Sequence, residues 1–208
     1  MARTTSSRNW LREHESDPYV LKARKEGWRS RAAYKLIEID QKDRLLRPGA
    51  TVVDLGAAPG SWLQYAARRI GPGGRLVAID LLEVAPVPGA QIVRGDFTSE
   101  AGLQEVLTLL AGRRVDLVLS DMAPNISGVA SMDQARAAHL CELALAFALD
   151  HLAPDGAFLV KTFQGAGYPA FRAEMLASFE TVASRKPAAS RDRSSELYLL
   201  GRRPRPRG

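Results

Sequence analysis

Five short apolar runs punctuate the chain: TVVDL at 51–55, RLVAID at 75–80, QIVRGD at 91–96, VDLVLSD at 115–121 and AFLVKTF at 157–163. Each is a few residues long and rich in Val, Leu and Ile, which predicts a buried strand. Between them lie longer stretches whose apolar residues recur every three or four positions, predicting helices over 61–70, 98–111, 133–152 and 168–178. Upstream, Ser30 is placed to cap a helix through RAAYKLIEIDQKD, with Ala33, Leu36 and Ile37 at helical spacing and Arg47-Pro48-Gly49 as its stop. Two late strands, about 179–186 and 195–201, have no clear helix between them and are expected to pair as an antiparallel hairpin. Strand and helix in alternation mean an α/β fold, a mostly parallel seven-stranded sheet covered by helices on both faces.

The residues that close the five runs carry the first chemical signal. They are Asp54, Asp80, Asp96, Asp121 and Lys161. A single acid after a strand is usually a turn or cap residue. Parallel strands, however, deliver their carboxyl ends to one rim of the sheet, where ligands of open α/β folds bind. Five charged strand ends in succession therefore point to a site on that rim.

The turn after the first run, DLGAAPGSW at 54–62, has Gly56 and Gly60 where a backbone must approach a ligand closely. Its spacing is neither G-x-G-x-x-G nor a P-loop, and Asp54 would repel a pyrophosphate. An acidic turn suits a cation. Asp80 can take a ribose diol through its two oxygens, and Asp96 can sit near an adenine edge. A ligand with an adenosine, a positive centre and no phosphate is S-adenosylmethionine rather than NAD or ATP. Trp62 is either a cofactor-side residue or part of the packing.

Charge adds a partner. The net +6 is uneven: residues 1–47 hold 12 Lys and Arg against 7 acids, the last eight residues add four arginines, and 48–200 is mildly acidic at −3. Trp10, Tyr19, Trp28 and Tyr34 interleave with Arg8, Arg12, Lys22, Arg24, Lys25, Arg29 and Arg31. Rings that stack on bases among cations that meet phosphates suit a nucleic acid. The competing reading is a helical face whose aromatics anchor it to the core. The 208 residues fit one domain at 48–201, preceded by a basic arm at 1–47 and followed by a disordered tail at 202–208. One cysteine, Cys141, in an apolar helical pattern, reads as a core residue and rules out a disulfide framework or a multi-cysteine zinc site. His14, His139 and His151 show no metal-ligand spacing, and no apolar run approaches the ~18 residues of a membrane span. A cytoplasmic, metal-free monomer is expected.

The segments DLGAAPGSW, GDF (95–97), SDMAPNISG (120–128) and VKTFQG (160–165) resemble those of the FtsJ-type ribosomal RNA 2′-O-methyltransferases. So do WLREHESDPYV and RSRAAYKL in the arm and RKPAASRDRSSELYLL near the end, so that the resemblance runs in order from Arg8 to Leu200. Ser61 stands where many relatives carry a second glycine, and the Arg/Pro tail has no counterpart in the resemblance. The resemblance implies a Rossmann-like methyltransferase fold and transfer of a methyl from S-adenosylmethionine to a uridine ribose of the large-subunit (23S) rRNA, in the large ribosomal subunit. It also implies a Lys-Asp-Lys-Glu tetrad, which falls on Lys35, Asp121, Lys161 and Glu196. Desolvation or the Lys35 ammonium would favour a neutral Lys161 that accepts the 2′-proton, whereas Asp121 and Glu196 would favour an ammonium that orients the hydroxyl. Asn125 is placed to touch substrate or to stabilise its loop. A transfer-RNA or cap methyltransferase, or a non-catalytic assembly factor, are the alternatives. A dehydrogenase is disfavoured by the missing G-x-G-x-x-G.

Overall fold

The computed structural model describes residues 16–124, 127–191 and 194–206. Seven strands form one sheet: β1 (Thr51–Leu55), β2 (Arg75–Asp80), β3 (Ala90–Arg94), β4 (Val115–Ser120), β5 (Leu152–Phe163), β6 (Phe179–Arg185) and β7 (Glu196–Pro204). Their order is β3-β2-β1-β4-β5-β7-β6. Neighbours from β3 to β5 are parallel, and β7 runs antiparallel to both β5 and β6. The chain reverses its winding at β1, between β2 and β4, which opens a crevice at the carboxyl ends of those strands.

Six helices connect and cover the sheet: α1 (Pro18–Glu26), α2 (Ala32–Asp43), α3 (Ser61–Ile70), α4 (Glu100–Leu110), α5 (Ala130–His151) and α6 (Tyr168–Ser178). Side chains alternate across each strand, so the central strands feed two cores. Val53, Leu55, Val118, Phe158 and Val160 pack with Val106 of α4, Phe147 of α5 and Met175 of α6. Val52, Leu117, Leu119, Leu159 and Leu200 pack on the other face with Leu36 and Ile39 of α2 and Leu63 and Ala66 of α3. The same two-residue period carries Asp54, Asp80, Lys161 and Glu196 onto this second face, beneath α2 and α3.

Local signals explain the starts and stops. Asp17 caps α1, accepting from Tyr19 N at 2.9 Å, Pro18 fills its first turn and Gly27 closes it with φ +75°. Ser99 caps α4 through Gly102 N at 3.1 Å.

Four expectations shift. Helix α1 is an addition: its cap lies in a segment read for charge, aromatics and family resemblance but not for a helix. Helix α2 begins at Ala32, so Ser30 Oγ accepts from Ala32 N (3.2 Å) and shares a hydrogen bond with Ser61 Oγ at 2.9 Å; the helix ends at Asp43, where Arg44 turns left-handed, before the Pro-Gly stop. Strand β5 starts at Leu152 and bulges between Val115 and Leu117 of its partner, because α5 runs straight into it. Strand β7 continues to Pro204, so the tail cannot start at Arg202: Arg202 bonds the carbonyl of Asp43 and Arg205 N bonds Ser178 O at 2.8 Å, drawing these arginines onto the domain. Among the described residues, no helix is long and apolar enough to cross a membrane.

Candidate active site

Strand ends β4, β5 and β7 and helix α2 meet in one cluster. Lys161 is 8% exposed; its Nζ donates to the Asp121 carbonyl at 2.7 Å and lies 3.2 Å from Asp121 Oδ1. The β5–β7 register sets Tyr198 beside Lys161 and Glu196 beside Phe163. Tyr198, wholly buried, donates its hydroxyl to the same Asp121 Oδ1 at 2.9 Å. Burial first, then the Asp121 and Glu196 charges, raise the Tyr198 phenol well above its usual value, so it stays a donor. Lys35 reaches down from α2 to Glu196 Oε1 at 2.6 Å, and its ammonium lies 5.9 Å from the Tyr198 ring. Burial is the largest single influence on Glu196 and raises its carboxyl, but the Lys35 charge and hydrogen bond, with smaller contributions from Ser190 and the Lys161 charge, together outweigh it and leave Glu196 below its usual value. The two ion pairs thus sit side by side across Tyr198.

The opposite half of the crevice is built from backbone. Asp80 accepts from Ala58 N through one oxygen and from Leu82 N through the other, both at 2.8 Å, holding the glycine turn against β2. Asp96 accepts from Thr98 N (2.8 Å) and Thr98 Oγ1 (2.7 Å). Each carboxylate keeps unused lone pairs for ligand hydroxyl or amino groups. Gly56 has φ +82° and lies against Met122, into which a Cβ would run; Gly60, φ +98°, caps α3 and faces Arg29 in the same way. Trp62 is buried, donating Nε1 to Ala32 O at 2.8 Å with its ring 5.8 Å from Tyr198, so the indole packs α3 on α2 while the residue also borders the cleft.

Asp54 is the unusual member. It is 1% exposed, and neither carboxylate oxygen has a hydrogen-bond partner among the described residues. Burial, then the Asp121 and Asp80 charges, push its carboxyl well above the usual range. It borders a narrow cleft shared with Gly56, Ala57, Ala58, Ser61 and Asp121. A buried acid without hydrogen-bond partners, beside two further acids, favours its neutral form and leaves both oxygens open to a ligand in the cleft.

The arm supplies structure more than free cations. Arg29 donates to Pro59 O (3.0 Å), Ala85 O (2.7 Å) and Pro86 O (2.8 Å), clamping the glycine turn to the loop after β2. Arg31 is spent on Asp17 and the Ala189 carbonyl. Tyr34 bonds Glu26 at 2.8 Å, Tyr19 packs on Tyr34, and Trp28 lies between Tyr65 and Arg68. For these residues the anchoring reading holds, because their polar atoms are already satisfied inside the fold. Lys22, Arg24 and Lys25 remain exposed, while Arg8, Trp10, Arg12, His14 and Asn125 lie outside the described residues.

Two contributors escaped the sequence reading. Tyr198 is two residues beyond Glu196, which on a strand puts both on one face, a signal present in SSELY. Glu38, one turn after Lys35, accepts from Ala188 N (2.7 Å) and Ala189 N (3.2 Å) and so ties α2 to the segment leading into β7; nothing local announces it. Cys141 donates its thiol to Lys161 O at 3.3 Å, with burial pushing the thiol up to about 12, which makes it a packing residue.

A Rossmann-like sheet whose last strand runs antiparallel, with a glycine turn after β1 and acids closing β1 and β2, is the architecture of S-adenosylmethionine-dependent methyltransferases. A profile of the FtsJ-like methyltransferases matches residues 28–204, and the chain belongs to that family. It is 60% identical over 201 residues to ribosomal RNA large subunit methyltransferase E of Azoarcus sp. strain BH72, covering 97% of this chain and 98% of the relative. The protein of the same name from Thiobacillus denitrificans is 61% identical over 202 residues, covering 97% and 92%. A solved structure from Plasmodium falciparum, assigned as a ribosomal RNA methyltransferase, superposes with a TM-score of 0.74 at 26% identity, over 85% of this chain and 98% of that one. The chain is therefore a methyltransferase that uses S-adenosylmethionine.

Proposed function

We propose that the chain methylates the 2′-hydroxyl of a uridine ribose in large-subunit (23S) ribosomal RNA, acting as a monomer on the large ribosomal subunit in the cytoplasm. The names of the relatives support the substrate class. The observation that carries the chemistry is Lys161, buried at the sheet edge with its Nζ on Asp121.

The residues of the glycine-turn half fit the cofactor: Gly56 and Gly60 would admit it, Asp80 would take the ribose diol, Asp96 would serve the adenine, and Asp54 and Asp121 would meet its positive end. When bound, S-adenosylmethionine supplies an electrophilic methyl on a sulfonium. The chain's own task is to make a ribose hydroxyl nucleophilic, since a neutral hydroxyl is a poor nucleophile. Lys161 Nζ, held by the Asp121 carbonyl and carboxylate, is placed at the 2′-hydroxyl: as an amine it takes the proton, and as an ammonium it orients the oxygen and stabilises the negative charge growing there. The proton lost by the hydroxyl passes to Lys161 in the first case and to solvent in the second. Tyr198 fixes Asp121, and the Lys35–Glu196 pair walls the other side, with Lys35 placed to stabilise negative charge growing on the oxygen. The exposed Lys22, Arg24 and Lys25 of α1 meet phosphates in a salt-dependent manner.

The test is incubation with radiolabelled S-adenosylmethionine and undermethylated large subunits, offered beside transfer RNA, followed by mapping of the label. Label at one uridine ribose of the large-subunit RNA is expected. Label confined to transfer RNA would move the substrate, and no label with the cofactor bound would leave a binding protein.

A further inference from the structure

A second cavity lies beside the cluster and away from the cofactor half. Its volume is about 330 Å³, within the range of roughly 300–1,000 Å³ in which small-molecule groups are bound. It opens between the start of α5, the end of β5 and the start of α6. None of Asp54, Gly56, Gly60, Trp62, Asp80 or Asp96 lines it. It is nevertheless continuous with the catalytic strand ends: Ala123 and Pro124 follow Asp121 by two and three residues, Ser195 precedes Glu196, and the Phe163 ring lies 5.8 Å from Lys161 Nζ.

We infer that this cavity receives the base of the target uridine, unstacked from the RNA, while its ribose lies over Lys161. The inference rests on the proposed transfer to a ribose 2′-hydroxyl. Lys161 is only 8% exposed, so the hydroxyl has to descend into the crevice, and the base attached to the neighbouring ribose carbon descends with it. An unstacked RNA base is held by aromatic faces and by hydrogen bonds to its edge. Both are present. Phe163, Tyr168 and Phe171 supply aromatic surface, with Ala137 and Ala138 leaving the space open. Gln134, Gln164 and Ser195 supply the polar groups, and neither glutamine amide is engaged by another described residue. An amide offers a donor and an acceptor together, the pair that meets the adjoining carbonyl and N–H of uracil. Gly165 admits the Gln134 amide: a Cβ there would lie 3.2 Å from it. Asp133, the acid on this rim, is already occupied by Ser127 N (2.8 Å), Ser127 Oγ (2.7 Å) and Gly128 N (3.2 Å), and so does not compete for the base.

Large subunits carrying 5-iodouridine at the methylated position, irradiated with the full chain, test the placement directly. The expected adduct, mapped by mass spectrometry, is on Phe163, Tyr168 or Phe171; an adduct only on residues outside the cavity overturns the inference. Kinetics give the independent arm. Ala138→Trp fills the cavity and is expected to lower kcat/KM by about 100-fold, and Gln134→Leu, on an exposed residue, by about tenfold, the scale of losing one polar contact to a substrate. S-adenosylmethionine affinity by calorimetry stays within twofold for both. Wild-type kcat/KM in Gln134→Leu and Ala138→Trp would overturn the inference, and Gln134→Leu with the cross-link decides it should Ala138→Trp fail to fold. Failure of the unsubstituted protein to methylate the subunit would instead remove the transfer reading itself.

Discussion

The two halves of the crevice are held by different kinds of bonds. On the cofactor half, Asp80 and Asp96 are fixed mainly by N–H groups of their own turns, Leu82 N and Thr98 N, with Ala58 N from the adjoining glycine turn. On the transfer half, Lys35 pairs with Glu196 and Tyr198 bonds Asp121, so that side chains far apart in the chain have to meet. The first arrangement forms wherever its turns form. The second exists only when α2, β4, β5 and β7 are all docked, which explains why Glu38, Arg185 and Arg202 tie α2 to the final hairpin. On the proposed assignment, recognition of the cofactor is a local property and catalysis a property of the whole fold.

The sharpest way to separate the halves is Lys161→Met. It removes the group assigned to the proton and is expected to lower kcat by about 10²–10⁴-fold. Calorimetric S-adenosylmethionine affinity should remain within a few-fold. A kcat within tenfold of wild type would remove Lys161 from the chemistry.

Asp54→Asn comes next and is defined by its sign. The folded carboxyl titrates well above its usual 3.8, so the folded protein holds a proton that the unfolded chain has released. The contribution is intact below about that value and is lost as pH rises toward the folded pKa, at about 1.4 kcal/mol per pH unit. Asparagine does not titrate, so the variant should gain on wild type as pH rises in thermal unfolding. A difference independent of pH would contradict the buried, partnerless acid.

Asp80→Ala should weaken the cofactor by about 10–100-fold, as loss of charge-assisted hydrogen bonds does, with kcat at saturation little changed. A fall in kcat with unchanged affinity would blur the division drawn here. Glu196→Gln leaves Lys35 without its counter-charge. It should cost on the order of 1–2 kcal/mol, less than a fully buried pair, since 12–13% of each side chain is exposed. Because the folded Glu196 carboxyl lies below its usual 4.5, the wild-type advantage is present above that value and disappears as pH falls through the folded one. Denaturant melts at pH 7 and in the acid range check both statements. Trp62→Phe is the smallest. It keeps most of the ring packing and loses one bond across the α2–α3 contact, for about 1 kcal/mol.

Much of this architecture was readable in advance, and for identifiable reasons. Strands β1 and β2 and helices α3 and α6 fall on the expected residues because Val-rich runs, glycine turns and apolar periodicity act over a few residues. The charged strand ends share a rim because parallel strands leave them no alternative. The arm misled, since Trp28, Arg29, Arg31 and Tyr34 look alike whether they face phosphate or Pro59, Ala189 and Glu26; only their contacts distinguish the two. The tail misled similarly, its first arginines being drawn into β7 by Asp43 and the sheet.

What the sequence determined by itself was the layered α/β plan, the glycine turn with its acids, and the family to which the chain belongs. Those signals are short-range, or are motifs that stay legible in any conformation. What only the tertiary structure decided was the partnership of each charge: Lys161 with Asp121, Lys35 with Glu196, Tyr198 between them, and Asp54 with no partner at all. A charge in water needs no particular neighbour, whereas a buried one does, and which neighbour it meets depends on strand register and helix docking.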